Sequence, residues 1–448
     1  MENQGRSHEI IMACLVLGIA CSVMINGAEC KPVGSRRSLI DEKVSNIMNN
    51  NNNNNNHNQV KEGGGNVDDG GAQVPPSTNE AVFDVMKYGA KANGRADDGT
   101  AFIKAWRAAC DSEGLAKVVI PPGTYMAGEV VFSGPCKAQA PITIEIQGNL
   151  SANTDPSSYT QGAWIMVERV ENVVVTGGGT INGNGKESWK YAGGDGPPLS
   201  VSIVFQTVGF CEMHDLNFVD SMGFHIKVTD SHDVALSNLK ITAPGKSPNT
   251  DGIHLSNATN VNITDSVIGT GDDCISVGHG TKNILVSGII CGPGHGISVG
   301  SLGKRQEEMS VNGVTITNCT INGTTNGARI KTYHGSPKIT ATGIVFQDIV
   351  MSQVKNPIII DQHYDSKKKP EQSSVKISDV RFTNIMGTTI SKIPIMLNCS
   401  STFPCENIEL SNIDLTPFGS IGPLQSACSH AVTILKGTVK PAGPTKCA

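Results

Sequence analysis

The 448-residue chain is poor in aromatic and charged residues, which make up 4% and 17% of it. It also has no long basic tract: the longest run of basic residues is the three lysines at 367–369. A solvated loop explains so short a run, and a net charge of −5 does not indicate nucleic acid as a partner. Glycine is abundant instead, with 50 residues, and this balance is typical of a turn-rich β protein.

No apolar run is long enough to cross a bilayer. The longest, at residues 10–25, falls short of the roughly 20 residues that a membrane span needs. Arg6 precedes this run, and the small residues Gly27 and Ala28 follow it, which is the pattern of a secretory signal. We therefore expect residues 1–28 to be a signal peptide and the mature chain to be secreted, with no membrane association.

Residues 29–80 contain little apolar sequence. They include an asparagine run at 49–56 and a Gly-rich stretch, and so offer little hydrophobic surface to offset the entropy of ordering the chain. The sequence predicts a disordered pro-segment or linker here. We expect residues 81–448 to form the globular domain.

Ten of the 13 cysteines lie beyond residue 30, an even number that is typical of disulfides in an oxidising compartment. Their connectivity does not follow from sequence, although short separations favour Cys274–Cys291 and Cys399–Cys405. A secreted chain also presents acceptor sites for N-glycosylation. Six Asn-x-Ser/Thr sequons begin at Asn149, Asn257, Asn262, Asn318, Asn322 and Asn398.

One segment, residues 97–114, has clear helical periodicity. Either Asp97 or Asp98 can cap its N-terminus, and Gly114 is a stop signal. Its apolar face, at i, i+3, i+4 and i+7, comprises Phe102, Ala105, Trp106 and Ala109. We expect this helix to cover the first coil of a solenoid, where an open end would expose unpaired backbone and apolar core.

After the helix a single pattern recurs: an alternating apolar strand, a small polar turn and another short apolar strand. It begins near residues 172, 233, 260, 283, 313, 343, 379 and 407. The wide first interval leaves room for a further coil near Ser202. Repeats of roughly 20–50 residues indicate solenoids. Antiparallel sandwiches also have many short strands, but hairpin turn signals are scarce here. The sequence predicts an all-β, right-handed parallel β-helix with a short N-terminal capping helix.

Acidic residues recur at about the length of one coil. Asp251 is followed about 21 residues later by Asp272 and Asp273, and His295 continues the series. Residues one coil apart lie side by side, about 4.8 Å from each other along the stack. Arg329 and Lys331 follow at i and i+2 of a further strand, so both point to one side.

This combination suits the hydrolysis of a glycosidic bond in an acidic sugar. Inverting hydrolysis needs one carboxylic acid to protonate the leaving oxygen and one carboxylate to activate water. A regular strand would turn Asp272 and Asp273 to opposite faces, but a turn or bulge at Gly271 would bring both into one cleft. Crowding raises the pKa of one carboxyl group, and the two cations can bind the carboxylate of the sugar.

Each part of the pattern also has a simpler explanation when taken alone. An Asp-Asp pair commonly caps a turn, a Gly-flanked histidine lies on a surface turn, and an Arg-x-Lys pair lines a solvated face. Cys274 has no base at an activating spacing and is expected in a disulfide. The order of the residues and their coil spacing together indicate a site.

Four segments carry a family resemblance: NTDGIH from Asn249, GDDCIS from Gly271, GPGHGISVGSLG from Gly292 and RIKTY from Arg329. In this order they resemble the signature segments of the polygalacturonases, glycoside hydrolase family 28. The resemblance spans about residues 81–448. It implies a right-handed parallel β-helix that hydrolyses the α-1,4-galacturonosidic bonds of pectin with inversion, in the extracellular space or cell wall.

The resemblance also implies residue roles. Asp272 is implied as the general acid, supported by His295, and Asp251 and Asp273 as the holders of the attacking water. The implied substrate-binding residues are Asn249, which would also orient Asp251, and Arg329, Lys331 and Tyr364.

The flanking sequence is similar to the plant pollen-type, exo-acting members. It departs from them after Tyr364, where Asp365 replaces a common cysteine and a second cysteine a few residues on is absent, and near residues 191–200, where a further cysteine pair is missing. These departures leave both exo and endo action open. We expect a monomer that acts on homogalacturonan and needs neither metal nor cofactor.

Three alternatives remain. A pectate-lyase-type β-helix would hold Ca²⁺ on the carboxylates and use Arg or Lys as its base. A related β-helix hydrolase would act on rhamnogalacturonan. A non-catalytic pectin-binding wall protein would have lost an acid or a binding cation, whereas this chain retains all of them.

Overall fold

A computed structural model describes residues 80–193, 199–365, 371–444 and Cys447, which all lie in one compact unit. The expected signal peptide, the pro-segment up to residue 79 and the lysine run at 367–369 lie outside the described residues. Within the described ranges, no helix has the length and hydropathy that a membrane crossing requires.

The described residues form thirty strands joined in one sheet, and every pairing between them is parallel. The strands are β1 Ala81–Asp84, β2 Asn93–Asp97, β3 Leu115–Ile120, β4 Thr124–Ala127, β5 Val130–Ser133, β6 Gln139–Ile146, β7 Asn149–Ala152, β8 Ala163–Glu168, β9 Val173–Thr176, β10 Thr180–Asn182, β11 Val201–Gln206, β12 Gly209–His214, β13 Asn217–Val219, β14 Ile226–Ser237, β15 Lys240–Thr242, β16 Ile253–Thr264, β17 Val267–Gly269, β18 Ile275–Val277, β19 Lys282–Ser287, β20 Ile290–Cys291, β21 Ile297–Leu302, β22 Val311–Asn322, β23 Asn326–Tyr333, β24 Thr340–Val354, β25 Asn356–Tyr364, β26 Lys376–Thr389, β27 Ile395–Asn398, β28 Cys405–Pro417, β29 Ser426–Ser429 and β30 Ala431–Lys440. Strands pair across one coil of the chain, as β14 does with β16, so the parallel β-helix predicted from the sequence is confirmed. The coil expected near Ser202 is also present, as β11 to β13.

The polar residue in the middle of each repeat makes the bend between two faces of the solenoid. These residues have left-handed backbones, with φ of 50° at Asn238, 53° at Asp348, 53° at Asn384 and 53° at Asn412. Asn and Asp tolerate this conformation better than other non-glycine residues. Their side chains also stack between coils, since Asn384 Nδ2 donates to Asp348 Oδ1 at 2.8 Å and Asn412 Nδ2 donates to Asn384 Oδ1 at 3.1 Å.

Alternate residues of each strand point into the core, where residues of successive coils lie in register. One such column is fully buried and comprises Val228, Leu255, Val277, Val299, Ile330 and Ile360. Burying an aliphatic side chain stabilises the fold by roughly 1.5–3 kcal/mol. The residues between those of this column point outward, and their face carries the candidate site.

The described ranges contain one α-helix, α1, which spans Gly99–Cys110 and packs against β1, β3 and β5 of the first coils. Its four apolar-face residues are buried, and Trp106 Nε1 donates to Ser133 O at 3.0 Å. Of the two aspartates expected as possible caps, Asp97 supplies the side-chain bond. Asp98 makes no side-chain cap bond and accepts from the backbone of Lys91 instead, whereas Asp97 Oδ1 accepts from Gly99 N at 2.9 Å.

The structure contains both disulfides that short separations favour, Cys274–Cys291 and Cys399–Cys405. Two more join Cys110 to Cys136 and Cys428 to Cys447. The even count of ten does not mean that all ten are paired, because Cys211 and Cys319 are buried free thiols. Both thiols lie in the hydrophobic core.

The six sequons differ in exposure. Asn149, Asn262, Asn318 and Asn322 are exposed. Asn257 and Asn398 are half-buried, and their side chains are engaged: Asn257 donates to Asp230 at 2.6 Å, and Asn398 accepts from Ser429 at 3.0 Å. Glycosylation at any of the six stays a prediction, with the four exposed positions as its better acceptors.

Candidate active site

The candidate site is built from consecutive coils on the outer face of one stack of strands. Asp251 lies just before β16, the pair Asp272 and Asp273 just before β18, and His295 just before β21. Arg329 and Lys331 lie within β23, on the face opposite to buried Ile330. The irregular backbone at residues 271–274 matches the turn expected at Gly271. The coil spacing thus brings these six side chains together.

Asp273 is the fully buried centre of the cluster. It accepts hydrogen bonds from Lys331 Nζ at 2.8 Å and from Ser298 Oγ at 2.9 Å, and it forms an ion pair with Arg329. Burial alone would raise the pKa of Asp273, but the adjacent Arg329 and Lys331 outweigh it and hold that pKa below its ordinary value. Asp273 is therefore ionised across the usual pH range.

Asp272 is more accessible, with 21% of its side chain exposed. Its Oδ1 accepts from His295 Nδ1 at 2.8 Å and from the Asp273 backbone N–H at 2.9 Å. Gly294 and Gly296 flank His295, with φ of 137° and 88°. A Cβ at Gly294 would overlap the Asp272 carbonyl oxygen, so glycine allows the two coils to approach closely enough for this contact.

Asp251 is buried and accepts from Ser276 Oγ at 2.7 Å. Its pKa is raised well above the ordinary carboxyl value, chiefly by burial and further by the charges of Asp272 and Asp273. The expected crowding effect is therefore present, and it acts on Asp251. Since the three carboxyl groups interact, the retained proton belongs to the cluster as a whole.

The two cations of β23 are nearly buried and already engaged. Lys331 is paired with Asp273, and Arg329 Nε also donates to Ser298 Oγ at 2.8 Å. Tyr364 lies on the neighbouring coil, with its ring centroid 5.0 Å from Lys331 Nζ and 5.3 Å from the ring of Tyr333. Burial raises the pKa of Tyr364, so it stays a neutral phenol beside the lysine.

Asn249 is exposed and has a left-handed backbone, with φ of 53°. Among the described residues its side chain has no hydrogen bond to Asp251, and the orienting role that the resemblance implies stays a prediction. Ser276 supplies that contact instead. Asn249 remains accessible to a ligand.

Sequence reasoning missed the two serines that fix the buried carboxylates. Ser276 donates to Asp251, and Ser298 donates to Asp273. A signal for them exists in the sequence, since the phrase ISVG occurs from Ile275 and again one coil later from Ile297. The register pairs these phrases residue by residue, which stacks the serines on the outer face.

A cation is one possible ligand of this cluster. Oxygen and nitrogen atoms of Asp272, Asp273 and His295 lie within 4.8 Å of one another. However, Asp273 is neutralised by Arg329 and Lys331, and His295 is engaged with Asp272. A Ca²⁺ site needs six to eight oxygen ligands, which this set does not supply. The donor set fits proton transfer better than metal binding.

Comparison with known proteins supports a hydrolase. The sequence pattern of glycosyl hydrolases family 28 matches residues 110–436. An exopolygalacturonase of Arabidopsis thaliana is 44% identical over 351 residues, which cover 77% of this chain and 82% of that protein. An exopolygalacturonase of Platanus acerifolia is 40% identical over 377 residues, which cover 82% of this chain and 98% of that protein. The chain therefore belongs to glycosyl hydrolase family 28 and is a glycoside hydrolase.

Solved structures agree on the fold. An exopolygalacturonase from Thermotoga maritima superimposes with a TM-score of 0.67 at 17% identity, covering 82% of this chain and 93% of that one. An endo-xylogalacturonan hydrolase from Aspergillus tubingensis gives 0.69 at 23% identity, covering 82% and 100%. At such identities the likeness concerns the β-helix alone.

Proposed function

We propose that this protein hydrolyses the α-1,4-galacturonosidic bonds of homogalacturonan by inversion and removes sugars from a chain end. The observation that carries the proposal is the cluster of Asp251, Asp272 and Asp273 bordered by Arg329 and Lys331. The exopolygalacturonase names of the plant relatives support the acidic polymer and the exo mode.

Asp272 is the proposed general acid. It is the most exposed of the three carboxyl groups, so the leaving oxygen of a sugar in the cleft can reach it. His295 holds the Asp272 carboxyl through one oxygen and leaves the other free to protonate the glycosidic oxygen. General acid catalysis of this kind typically contributes 10²–10⁴-fold to the rate.

Asp251 and Asp273 are the proposed holders of the attacking water. Asp273 is held ionised by its two cations, and it can accept a hydrogen bond from water at any working pH. Asp251 must lose its proton before it can act as a base, and its raised pKa then sets a lower pH limit for activity. Inversion requires the acid and the base on opposite faces of the sugar, with a water between base and sugar.

Arg329 and Lys331 are the proposed partners of the galacturonate carboxylate. Both already contact Asp273, but a guanidinium has five N–H donors and an ammonium has three. Donors not used by Asp273 and Ser298 can therefore bind the substrate. Tyr364 offers an aromatic face beside Lys331, and Asn249 an exposed amide.

We further propose that the protein acts outside the cell as a monomer. The four disulfides of the described residues are typical of an oxidising compartment. The expected signal peptide at residues 1–28 is consistent with this location, and pectin is a cell-wall polymer.

The decisive experiment is product analysis with purified protein on de-esterified homogalacturonan, with the Asp272→Asn variant as control. We expect monomeric galacturonate alone from the parent protein, formed with inverted anomeric configuration by NMR. We expect a loss of at least about 10²-fold from the variant, with an unchanged circular dichroism spectrum.

The other outcomes identify the alternatives. Mixed oligomers mean endo action, and products from rhamnogalacturonan but not from homogalacturonan mean the related hydrolase. An unsaturated, absorbing product that disappears with a chelator means a lyase. Binding of the polymer without any product means a non-catalytic wall protein. An Asp272→Asn variant that releases reducing ends at the parent rate would show the acid assignment to be wrong.

A further inference from the structure

Lys227 lies in the same outward column as the site, beyond the carboxylates. Its neighbours on β14, Ile226 and Val228, are fully buried, so its side chain emerges on the outer face. The strand register places one residue of each successive coil in this column: Lys227, His254, Ser276, Ser298 and Arg329. Lys227 and Arg329 thus stand on opposite sides of the residues that hold Asp251 and Asp273.

Lys227 is a half-buried cation that lacks a counter-ion. No hydrogen bond or ion pair reaches its ammonium from the described residues. Burial lowers the pKa of Lys227, and the charge of Arg305 lowers it further, while the charge of Asp230 acts in the opposite direction without reversing the shift. A cation in this position gains free energy when an anion binds to it.

Arg305 supplies a second cation from a braced loop. Buried Glu308 accepts from the backbone N–H groups of Gly303 at 2.6 Å and of Arg305 at 3.2 Å, which fixes the loop. The Arg305 guanidinium contacts His279 Nε2 at 3.1 Å, the exposed Glu307 at 3.3 Å and Glu308 at 3.7 Å, and 58% of its side chain stays accessible.

His254 links this cationic pair to the catalytic cluster. It pairs with Lys227 on the neighbouring coil, and its Nδ1 lies 2.8 Å from Ser276 Oγ, which donates to Asp251. Burial, together with Lys227 and Lys331, lowers the pKa of His254 to about 3, so it is neutral and does not add to the positive charge. Its ring packs on Phe224, with centroids 4.8 Å apart.

We propose that Lys227 binds the carboxylate of a second galacturonate unit, farther along the same polymer than the one held by Arg329 and Lys331, and that the positive charge of Arg305 adds to the attraction. This inference rests on the proposed function, because de-esterified homogalacturonan carries one carboxylate on each sugar. A polymer that lies along this column can bring the carboxylate of one sugar to Lys227 while Arg329 and Lys331 hold that of another. Lys227 and Arg305 therefore favour longer and less esterified substrates.

The test compares Lys227→Met with the parent protein on oligogalacturonates of increasing length. Lys227→Met keeps the length of the side chain and removes the charge. We expect KM to rise about tenfold for oligomers long enough to reach Lys227, equivalent to roughly 1.4 kcal/mol, with kcat little changed and the shortest hydrolysable oligomer unaffected. We also expect a shallower dependence of KM on ionic strength.

Two variants serve as controls. Lys240→Met removes an exposed lysine from β15, outside the site strands, and should leave every parameter unchanged. Lys227→Arg should restore most of the parent affinity. The inference would be overturned if Lys227→Met had the KM values of the parent protein for oligomers of every length and the same dependence of KM on ionic strength.

A binding measurement separates this inference from the proposed function. Calorimetry gives the affinity of a long oligogalacturonate for the Asp272→Asn variant and for the same variant that also carries Lys227→Met. If the oligomer binds tightly and Lys227→Met weakens binding, the carboxylate site is supported even where the parent protein shows no hydrolysis. If the parent protein hydrolyses the polymer but the double variant binds the oligomer as tightly as Asp272→Asn alone, only this inference fails. If no oligomer binds, both fail.

Discussion

Asp251 and Asp273 are both buried aspartates of one site, yet neutralising them should change stability in opposite directions. Asp273 faces two cations and a serine hydroxyl. Asp251 faces a serine hydroxyl and two other carboxylates, whose effect on its pKa outweighs the opposing charge of Lys331. The substitutions Asp273→Asn and Asp251→Asn are isosteric, so they change charge with little change in packing. Both are expected to be inactive, which leaves stability as the informative quantity.

Asp273→Asn removes the shared partner of Arg329 and Lys331 and leaves two buried cations uncompensated. Breaking a buried ion pair in this way costs about 3–5 kcal/mol. With about 2 °C of Tm per kcal/mol for a large domain, we expect the Tm at neutral pH to fall by about 6–10 °C. The pKa of Asp273 is lowered by folding, so its contribution is present above the unfolded pKa of about 3.9 and is lost as pH falls through the folded pKa.

Asp251→Asn removes a carboxylate whose ionisation the folded state opposes. The pKa of Asp251 is raised, so the parent protein loses stability as pH rises from about 3.9 through the folded pKa, and the variant does not. We expect a gain of about 0.5–2 kcal/mol at neutral pH, the usual size of a stabilising substitution. That corresponds to about 1–4 °C in Tm.

Thermal melts followed by circular dichroism, at neutral pH and near the unfolded carboxyl pKa of about 4, provide the assay. The two variants should differ in opposite senses from the parent at neutral pH. At about pH 4, Asp251→Asn should approach the parent, whereas the lower Tm of Asp273→Asn should largely persist, because the Asp273 contribution is lost only as pH falls through its lowered folded pKa. Equal Tm values for the two variants at neutral pH, or a destabilised Asp251→Asn, would refute the assignment of opposite environments.

Three further outcomes follow from the described contacts. His295→Ala should lower kcat at least about tenfold with little change in KM, because Asp272 loses the group that orients it; steady-state kinetics decide this, and an unchanged kcat would remove the role. Gly294→Ala should lower the Tm by more than Gly419→Ala, since both have positive φ but only Gly294 would clash with a neighbouring coil; equal shifts in a thermal melt would contradict the close-approach argument. Burial raises the pKa of Cys319 to about 11, so the free thiols should react with iodoacetamide only after denaturation, and labelling of the native protein, detected by mass spectrometry, would contradict their burial.

Periodicity was sufficient to predict the solenoid because its bends and its strands have separate sequence requirements. Asn238, Asp348 and their equivalents must adopt a left-handed backbone, which few residue types tolerate, and they therefore mark each bend. The strand residues between them alternate because one face is buried. Both requirements are local, so a single sequence displays them.

The contacts of the site were less predictable because they depend on which coils stack in which register. Coil spacing placed Asp251, Asp272 and His295 near one another, but it did not show that Arg329 and Lys331 pair with Asp273. Coils of this chain differ in length, so a long-range pairing such as this one requires coordinates.

Of the four disulfides in the described residues, two could be predicted from the sequence and two could not. Cys274–Cys291 and Cys399–Cys405 close short loops, and separation alone favoured them. The pairing of Cys110 with Cys136 depends on where α1 packs, and Cys319 is unpaired because of its position in the core. Neither property is encoded in spacing.

The position of the site within the stack affects how the protein loses activity. Its residues come from β14 to β25, with further coils on both sides. Each coil is paired only to its two neighbours, so fraying begins at the ends and advances inward one layer at a time. Several layers at either terminus must melt before the catalytic carboxylates separate. Hydrolysis should therefore persist while amide protons at both extremities already exchange with solvent.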